Sequence, residues 1–336
     1  MKKAISLLAV LVAVLFLMGP PVNKCNAAPK IMINAVSCWP ITHVGNDYYK
    51  ELIKRINEKC KGEVEVKLLG GPEVVAVFDQ LKAAGTGVVD MIHGDPNYWA
   101  GIVPEGGILT MAKHNAEVQI IRESGLLDPM TQAYRERGKV FFLGATWIGM
   151  PFYVMSNKPV SKLDDVKGLK LRGIGGIADV LLGELGASVV KIASAETYEG
   201  LQRGIVDGAL RNTISLVEFK EYEVMKYIIS PPVASPFGAV FIGEGKWNAI
   251  PKNLQAVIKE TMVATESEAN KYYNTMDKTR LKEVLEKHGM KVTQLGDKDM
   301  ARLNEVRGGN PLKDWFQKRS PKFGTALYEK AIPYIK

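Results

Sequence analysis

The chain has few of the residues on which metal and nucleophile chemistry most often depends. Its 336 residues include three cysteines and four histidines, and the histidines show no metal-ligand spacing. No H-E-x-x-H, G-x-S-x-G or P-loop motif is present. We therefore predict no metal site, no cofactor and no enzyme activity, and we interpret the histidines as ordinary surface or packing side chains: His43, His93, His114 and His288.

Long apolar runs are missing beyond the N-terminus. The run from Ala4 to Met18 has fifteen residues, whereas a membrane-spanning helix needs about 20. It follows a basic start, Met1-Lys2-Lys3, and precedes the small-residue pattern Cys25-Asn26-Ala27. This order is typical of a cleaved signal peptide over residues 1–27, so we predict an exported protein.

Strong charge of one sign is also missing. The formal net charge is +8 over the whole chain and falls to +5 when the signal peptide removes Lys2, Lys3 and Lys24. No basic run or stripe remains, so the sequence gives little support for a nucleic-acid partner. Two cysteines remain, Cys38 and Cys60; export permits a disulfide, but spacing leaves a disulfide and two buried thiols both open.

Strands and helices alternate between Asp165 and Asn212, which predicts a parallel α/β sheet. Arg172 stands at the carboxyl end of the first of these strands, the edge at which such sheets bind ligands. Its planar guanidinium matches a carboxylate or phosphate with two parallel hydrogen bonds. A ligand anchor and an ordinary surface arginine remain the two interpretations of Arg172.

A glycine turn follows this strand and fits the dinucleotide pattern G-x-G-x-x-A over Gly173–Ala178. Three features oppose a nucleotide-dependent oxidoreductase: the unit does not begin the fold, the acids Glu196 and Glu199 fall in a predicted helix, and the protein is exported. We interpret the glycines, Gly175 among them, as letting the backbone approach the group that Arg172 binds.

Several motifs resemble the extracytoplasmic solute receptors of TRAP (tripartite ATP-independent periplasmic) transporters, in the dicarboxylate-receptor-like family. They are D-V-K-G-L-K-L-R, E-T-Y-E-G-L-Q-R-G-I-V-D-G-A and Y-E-V-M-K-Y. The resemblance covers nearly all of the mature chain. It implies a periplasmic receptor that captures a small organic acid and delivers it to TRAP integral membrane subunits for ion-gradient-driven uptake. The receptor of an ABC importer is the alternative within the same fold.

The resemblance implies a two-lobed α/β periplasmic binding protein fold, with a ligand cleft between the lobes and a long helix spanning both. The long helix is predicted at Asn253–His288, and Gly144–Asn157 and Phe237–Ile242 carry the chain between lobes. A faint internal echo, V-E-V-K-L-L…G-V-V-D against S-V-V-K-I-A…G-I-V-D, is consistent with two similarly built lobes or with chance. The predicted division is 28–152 plus 238–278 for lobe 1 and 153–237 plus 279–336 for lobe 2.

The resemblance also implies site residues. Arg172 matches the arginine that holds the carboxylate of an organic acid, and Asn212 matches an asparagine that follows the V-D-G strand. Arg211 stands next to it where an acidic residue is common, so it is either a second ligand-binding cation or a solvated side chain.

The position twenty residues before Arg172, often polar or basic in sialic-acid-type members, is Phe152 here. Aromatic residues also fall near other predicted strand ends: Trp39, Trp147 and Tyr198. An aromatic pocket around one anion anchor favours a monocarboxylate with an apolar or aromatic body, which we state as a hypothesis.

Overall fold

The computed structural model describes residues 31–111 and 118–335, so the predicted signal peptide and His114 lie outside the described residues. The strands form two sheets, which run in the order β2-β1-β3-β10-β4 and β11-β9-β5-β8-β6-β7. The strands are β1 (Ile31–Ser37), β2 (Val64–Gly70), β3 (Met91–Gly94), β4 (Val140–Trp147), β5 (Tyr153–Ser156), β6 (Lys170–Gly173), β7 (Ser188–Lys191), β8 (Gly208–Arg211), β9 (Tyr227–Ser230), β10 (Gly238–Gly243) and β11 (Lys291–Gln294). We call the part built on the first sheet lobe 1 and the part built on the second sheet lobe 2. The expected two-lobed α/β fold is confirmed.

Amphipathic helices cover these sheets. Helix α1 buries Tyr49, Leu52, Ile53 and Ile56, a spacing that puts them on one face. The helices are α1 (Asp47–Lys59), α2 (Gln80–Thr86), α3 (Val118–Glu123), α4 (Leu127–Ala133), α5 (Gly176–Glu184), α6 (Thr197–Gln202), α7 (Thr213–Glu218), α8 (Glu244–Ala249), α9 (Lys252–Glu286), α10 (Asp297–Gly308), α11 (Asn310–Arg319) and α12 (Gly324–Ile335).

The 35-residue helix α9 is the predicted long helix, with ends within two residues of the predicted ones. At 1.5 Å per residue it is roughly 52 Å long. It packs on α1 and β4 of lobe 1 and on α7 of lobe 2. Its buried Asp277 accepts a hydrogen bond from the Thr213 hydroxyl, which fixes it to lobe 2. Among the described residues, no helix is both long enough and apolar enough to span a bilayer.

The two sheets repeat one topology. In lobe 1, β1 lies between β2 and β3, and all three are parallel. In lobe 2, β6 lies between β7 and β8 in the same way. The next strand in each sheet, β10 or β5, arrives from the other lobe and runs antiparallel. The internal echo of the sequence falls on matching elements, β2-α2-β3 and β7-α6-β8.

The C-terminal helices contact both lobes. In lobe 2, Leu163 N–H donates to the Asp299 carboxylate. In lobe 1, the Ser320 hydroxyl donates to Glu105, and Lys322 pairs with Glu136. The predicted division assigned this tail to lobe 2 alone, whereas its last part lies against lobe 1. We keep the division at the strand crossings as a proposal.

Candidate functional site

Arg172 lies where the lobes meet. It is fully buried at the end of β6, although one of the two sequence interpretations placed it on the surface. Its Nε donates to the Ile192 carbonyl over 3.0 Å, and its Nη2 donates to the Tyr98 hydroxyl of lobe 1 over 2.9 Å. Nearby, the Lys191 ammonium lies 3.8 Å from the centre of the Phe78 ring, again across the lobes. The guanidinium is therefore part of the contact between the lobes.

Tyr98 is positioned by a turn at the end of β3. The Asp95 carboxylate caps the 3-10 turn Pro96–Trp99 and accepts from the Asn97 N–H over 2.9 Å and from the Asn97 Nδ2 over 2.8 Å. Burial raises the pKa of Asp95 to about 7, although the Asn97 hydrogen bonds and the Arg172 charge lower it. Asp95 is therefore only partly ionised at neutral pH, and its carboxyl group bonds to Asn97 and not to Arg172.

The glycine turn after β6 touches lobe 1 directly. Gly175 has φ +92°, and a Cβ on it would lie 2.5 Å from the Asn97 carbonyl oxygen. A Cβ on Gly176 would lie 2.8 Å from Asn97 Oδ1. Glycine is required here because the lobes approach each other at this turn. The group that Gly175 and Gly176 approach is thus Asn97 of lobe 1, and the role of Gly175 in letting the backbone approach the group that Arg172 binds stays a prediction.

A small cavity lies beside the Arg172 contact and brings together three predicted site residues: Trp39 and Trp147 from lobe 1 and Asn212 from lobe 2. Its volume is about 10 Å³, the room that one water needs. Asn212 caps α7, with its Oδ1 accepting from the Ser215 N–H over 2.7 Å. The other lining residues are His43, Gly45, Met150, Ile214, Ser215 and Tyr273.

Two histidines lie at this site. His43 lines the cavity, which the interpretation of the histidines as ordinary surface or packing residues did not anticipate, whereas His93 is a buried packing residue, as that interpretation allowed. His93 Nε2 lies 2.8 Å from the Thr146 hydroxyl, and His43 Nε2 lies 3.4 Å from the Ser215 hydroxyl of lobe 2. Burial lowers the pKa of each to about 3, so both rings are neutral. His93 lies at the end of β3 and His43 lies in the loop after β1. A position at or after a strand end is the sequence signal that could have placed them near the cavity.

The Trp147 indole of the cavity is surrounded by other rings. Its ring centre lies 5.1 Å from that of Trp39, 5.7 Å from that of His93 and 5.4 Å from that of Tyr273. Its Nε1 is buried and has no hydrogen-bond acceptor among the described residues. A buried donor without an acceptor costs about 1–3 kcal/mol, so this atom requires an explanation.

Arg211 occupies neither of the two positions that the sequence left open. It is buried, and its Nε and Nη2 donate to the two Glu221 carboxylate oxygens over 2.7 and 2.5 Å. Its Nη1 donates to the Ser194 hydroxyl over 2.7 Å. Burial lowers the pKa of Arg211 and raises that of Glu221, and their mutual attraction opposes both shifts. Arg211 is therefore the cation of an internal ion pair in lobe 2.

Two other predicted site residues are not among those that line the cavity. Phe152 forms a backbone bridge to Ala234 where the chain crosses between lobes, and its side chain is in the core. The Tyr198 hydroxyl donates to Glu223 over 2.8 Å at the surface of lobe 2. Phe152 is thus a core residue and Tyr198 a surface residue of lobe 2, and their part in binding a ligand stays a prediction.

The cysteines are separate buried thiols, so of the two open alternatives the structure shows the second. Burial raises the pKa of Cys38 and of Cys60. Within the described ranges, no group of three or more His, Cys, Asp or Glu side chains is arranged to hold a metal ion.

Two α/β lobes whose strand ends enclose a buried cation and an aromatic cavity define a two-lobed binding protein. The chain belongs to the DctP family, the bacterial extracellular solute-binding proteins of family 7, whose model matches residues 36–308. The resemblance to TRAP receptors is thereby confirmed.

Relatives and solved structures agree with this assignment. The chain is 25% identical over 269 residues to a solute-binding protein of Albidiferax ferrireducens, which covers 77% of this chain and 78% of the relative. It is 24% identical over 304 residues to the 2,3-diketo-L-gulonate-binding periplasmic protein YiaO of Escherichia coli, which covers 87% of this chain and 88% of the relative.

Its fold is similar to that of a TRAP periplasmic solute-binding protein from Desulfovibrio salexigens solved with orotic acid. The TM-score is 0.81 at 21% identity, over 91% of this chain and 99% of the other. A Citrobacter koseri protein solved with D-glucuronate has a TM-score of 0.76 at 19% identity, over 91% of this chain and 99% of the other.

Proposed function

We propose that this protein is a periplasmic receptor for a small organic acid, whose carboxylate is bound by Arg172. The observation that carries the proposal is the contrast between two buried arginines in one lobe. Arg211 has the carboxylate of Glu221, whereas the hydrogen-bond partners of Arg172 are the neutral Ile192 carbonyl and Tyr98 hydroxyl. The carboxyl groups of Asp95 and Asp179 attract Arg172 without bonding to it. A buried guanidinium without a hydrogen-bonded counter-charge is unfavourable, and a ligand carboxylate would supply that charge through two parallel hydrogen bonds.

The similar proteins support an acid as the ligand class. YiaO is named for 2,3-diketo-L-gulonate, and the two solved structures contain orotic acid and D-glucuronate. Each of these molecules carries its carboxylate on a polar body. The hypothesis of an apolar or aromatic body is not carried into this proposal, because His43, Asn212 and Ser215 give the cavity polar walls.

The proposed mechanism is closure of the lobes around the acid. Arg172 binds the acid from lobe 2, and Tyr98 and the Asn97 turn of lobe 1 then close against it, which excludes water and stabilises the closed form. The signal peptide of residues 1–27 would direct the chain to the periplasm, and the closed receptor would dock on TRAP integral membrane subunits. The protein acts by binding and release, with no chemical step on the acid.

A thermal-shift screen of the mature protein tests the proposal. The panel contains sugar acids, keto acids, hydroxy acids, dicarboxylates and aromatic acids, each with its primary amide. An acid present at one hundred times its dissociation constant stabilises the protein by about 2.7 kcal/mol, which gives a clear rise in Tm. The proposal fails if no acid raises the Tm, or if acids and amides raise it equally.

A further inference from the structure

The cavity beside Arg172 presents hydrogen-bond donors and neutral rings. Trp147 contributes its unpartnered Nε1–H. Asn212 uses its Oδ1 to accept from Ser215 N–H, which leaves its amide NH2 as a donor. None of the residues that line the cavity is acidic, and none is a lysine or arginine. The walls therefore suit a neutral acceptor atom.

The Ser215 hydroxyl is a donor for the same reason. His43 Nδ1 accepts from Gly45 N–H over 2.9 Å, so in the neutral ring the proton is on Nε2. That Nε2–H faces the Ser215 oxygen at 3.4 Å and uses it as an acceptor. The hydroxyl hydrogen of Ser215 is then available to a third group, and the cavity is where such a group fits.

The cavity and the anion anchor lie at the same edge of the lobe 2 sheet. Strands β6 and β8 are parallel neighbours in which Arg172 pairs with Ala209, and Asn212, which lines the cavity, directly follows the end of β8. A ligand whose carboxylate binds Arg172 and whose body extends along this edge to Asn212 reaches the tryptophans of the cavity. The cavity has room for one oxygen atom, at about 10 Å³.

We propose that this cavity is the subsite for a second, uncharged oxygen of the ligand, and that the Trp147 Nε1–H is the donor that recognises it. The preferred ligands are then hydroxy, keto or ring-carbonyl acids. This inference rests on the proposed function, because it assumes that an acid is bound at Arg172. A ligand oxygen at this place takes up the hydrogen bonds that a water would make there.

The test compares the dissociation constants of matched acids by calorimetry: 4-oxopentanoate with pentanoate, quinate with cyclohexanecarboxylate, and D-glucuronate alone. In the wild-type protein we expect the oxygen-bearing member of a pair to bind about tenfold more tightly, because its analogue leaves a buried donor unpaired. Trp147→Phe keeps a six-membered aromatic ring at this place and removes the N–H. The ratio of the two dissociation constants should therefore fall from about ten toward one.

Trp99→Phe is the matched control. Trp99 is also buried in lobe 1, but its Nε1 donates to the Val77 carbonyl over 2.8 Å and it does not line the cavity. This variant should lose stability because Val77 loses its donor, and it should keep the tenfold ratio. Both variants replace a buried indole with a smaller ring and should lose stability for that reason, but Trp147→Phe breaks no hydrogen bond, because the Nε1 that it removes had no partner.

Three outcomes overturn the inference while leaving the proposed function intact. In the first, the wild-type protein binds both members of each pair equally. In the second, it binds only acids that have no oxygen beyond the carboxylate. In the third, Trp147→Phe weakens the binding of both acids of a pair by the same factor, which indicates that Trp147 contributes only to the shape of the cavity. Failure of the proposed function is a separate result, in which no acid of the panel binds.

Discussion

The two lobes share one strand order but differ in the chemistry of their strand ends. Lobe 1 presents neutral rings at this edge, among them Trp39, His93 and Trp147. Lobe 2 presents two buried arginines, Arg172 and Arg211. Equivalent topology therefore places the ends of both sheets at the cleft, whereas individual residues decide which side carries the charge.

Placing both cations in one lobe has a consequence for binding. The Arg172 charge lowers the pKa of Arg211, which means that the two cations repel each other. Glu221 compensates Arg211 within the lobe. In the proposed function, Arg172 binds an external anion and lobe 1 closes over that anion mainly with neutral groups.

The largest expected effect comes from breaking the ion pair of lobe 2. Glu221→Gln leaves Arg211 buried without its counter-charge, so the free energy of unfolding should fall by about 3–5 kcal/mol. Urea unfolding measures this fall in the free energy of unfolding. Glu223→Gln is the matched control two residues away, and its exposed bond to Tyr198 should contribute nothing measurable. Equal stability of the two variants would contradict the assignment of Arg211 as an internal cation.

A smaller effect is expected from separating the lobes. Gly175→Ala puts a Cβ against the Asn97 carbonyl in a left-handed conformation. The strain of about 1–3 kcal/mol falls on the closed form, so the affinity for an acid should drop about tenfold to hundredfold. Calorimetry measures the affinity, and small-angle scattering should show a larger radius of gyration.

Gly204→Ala is the control for this change. Gly204 also has a positive φ, +69°, but a Cβ on it meets nothing within 4 Å. The Gly204→Ala variant should have a less stable lobe 2 and an unchanged affinity for the acid. If both variants lose affinity equally, the Gly175 turn is not a contact on which closure depends.

The smallest effect concerns the neutral rings of lobe 1. Burial lowers the pKa of His93 to about 3, below the usual value of about 6.5. Between these values the unfolded chain binds more protons than the folded protein, so stability is lost as the pH falls. His93→Gln removes this loss. The difference in unfolding free energy between wild type and variant should shrink by about 1.4 kcal/mol per pH unit below pH 6.

Urea unfolding of both proteins at pH 7, 6, 5 and 4 measures this difference. Asp95 acts in the opposite direction, because its pKa is raised to about 7 and its protonation stabilises the folded protein as the pH falls. It titrates in both proteins, so its effect cancels in the comparison. A difference that stays constant with pH would show that His93 is not held neutral by burial.

Local patterns in the sequence were enough to predict much of the fold. The alternation around Asp165–Asn212 predicted β6, β7 and β8 with their helices, and it put Arg172 at a strand end. The apolar spacing of the long helix placed α9 to within two residues. Both signals arise from contacts that are close in the chain, which is why periodicity reveals them.

Contacts between distant segments could not be predicted in the same way. The partner of Arg211 is a glutamate in the loop after α7, and the group that Gly175 approaches is Asn97 in the other lobe. His43 and His93 stand alone in the sequence, and only closure of the lobes brings His43 to Ser215. Aromatic residues near strand ends were ambiguous, since Trp147 lines the cavity and Phe152 belongs to the core.

The most direct test of the account is calorimetric titration of the wild-type protein, Arg172→Gln and Arg172→Lys with the best acid of the screen and with its primary amide. Loss of a buried charged partner costs about 2–5 kcal/mol, so Arg172→Gln should weaken the acid by at least about thirtyfold. The affinity of Arg172→Lys for the acid should lie between those of the wild type and of Arg172→Gln. Lysine keeps the charge but lacks the planar guanidinium that makes two parallel hydrogen bonds.

Arg203→Gln, a change at an exposed arginine of the same lobe, should leave all affinities unchanged. The account predicts that the amide binds weakly to every protein and that Arg172→Gln does not weaken it further. Equal losses for acid and amide, or no loss for the acid, would contradict the claim that Arg172 recognises a carboxylate.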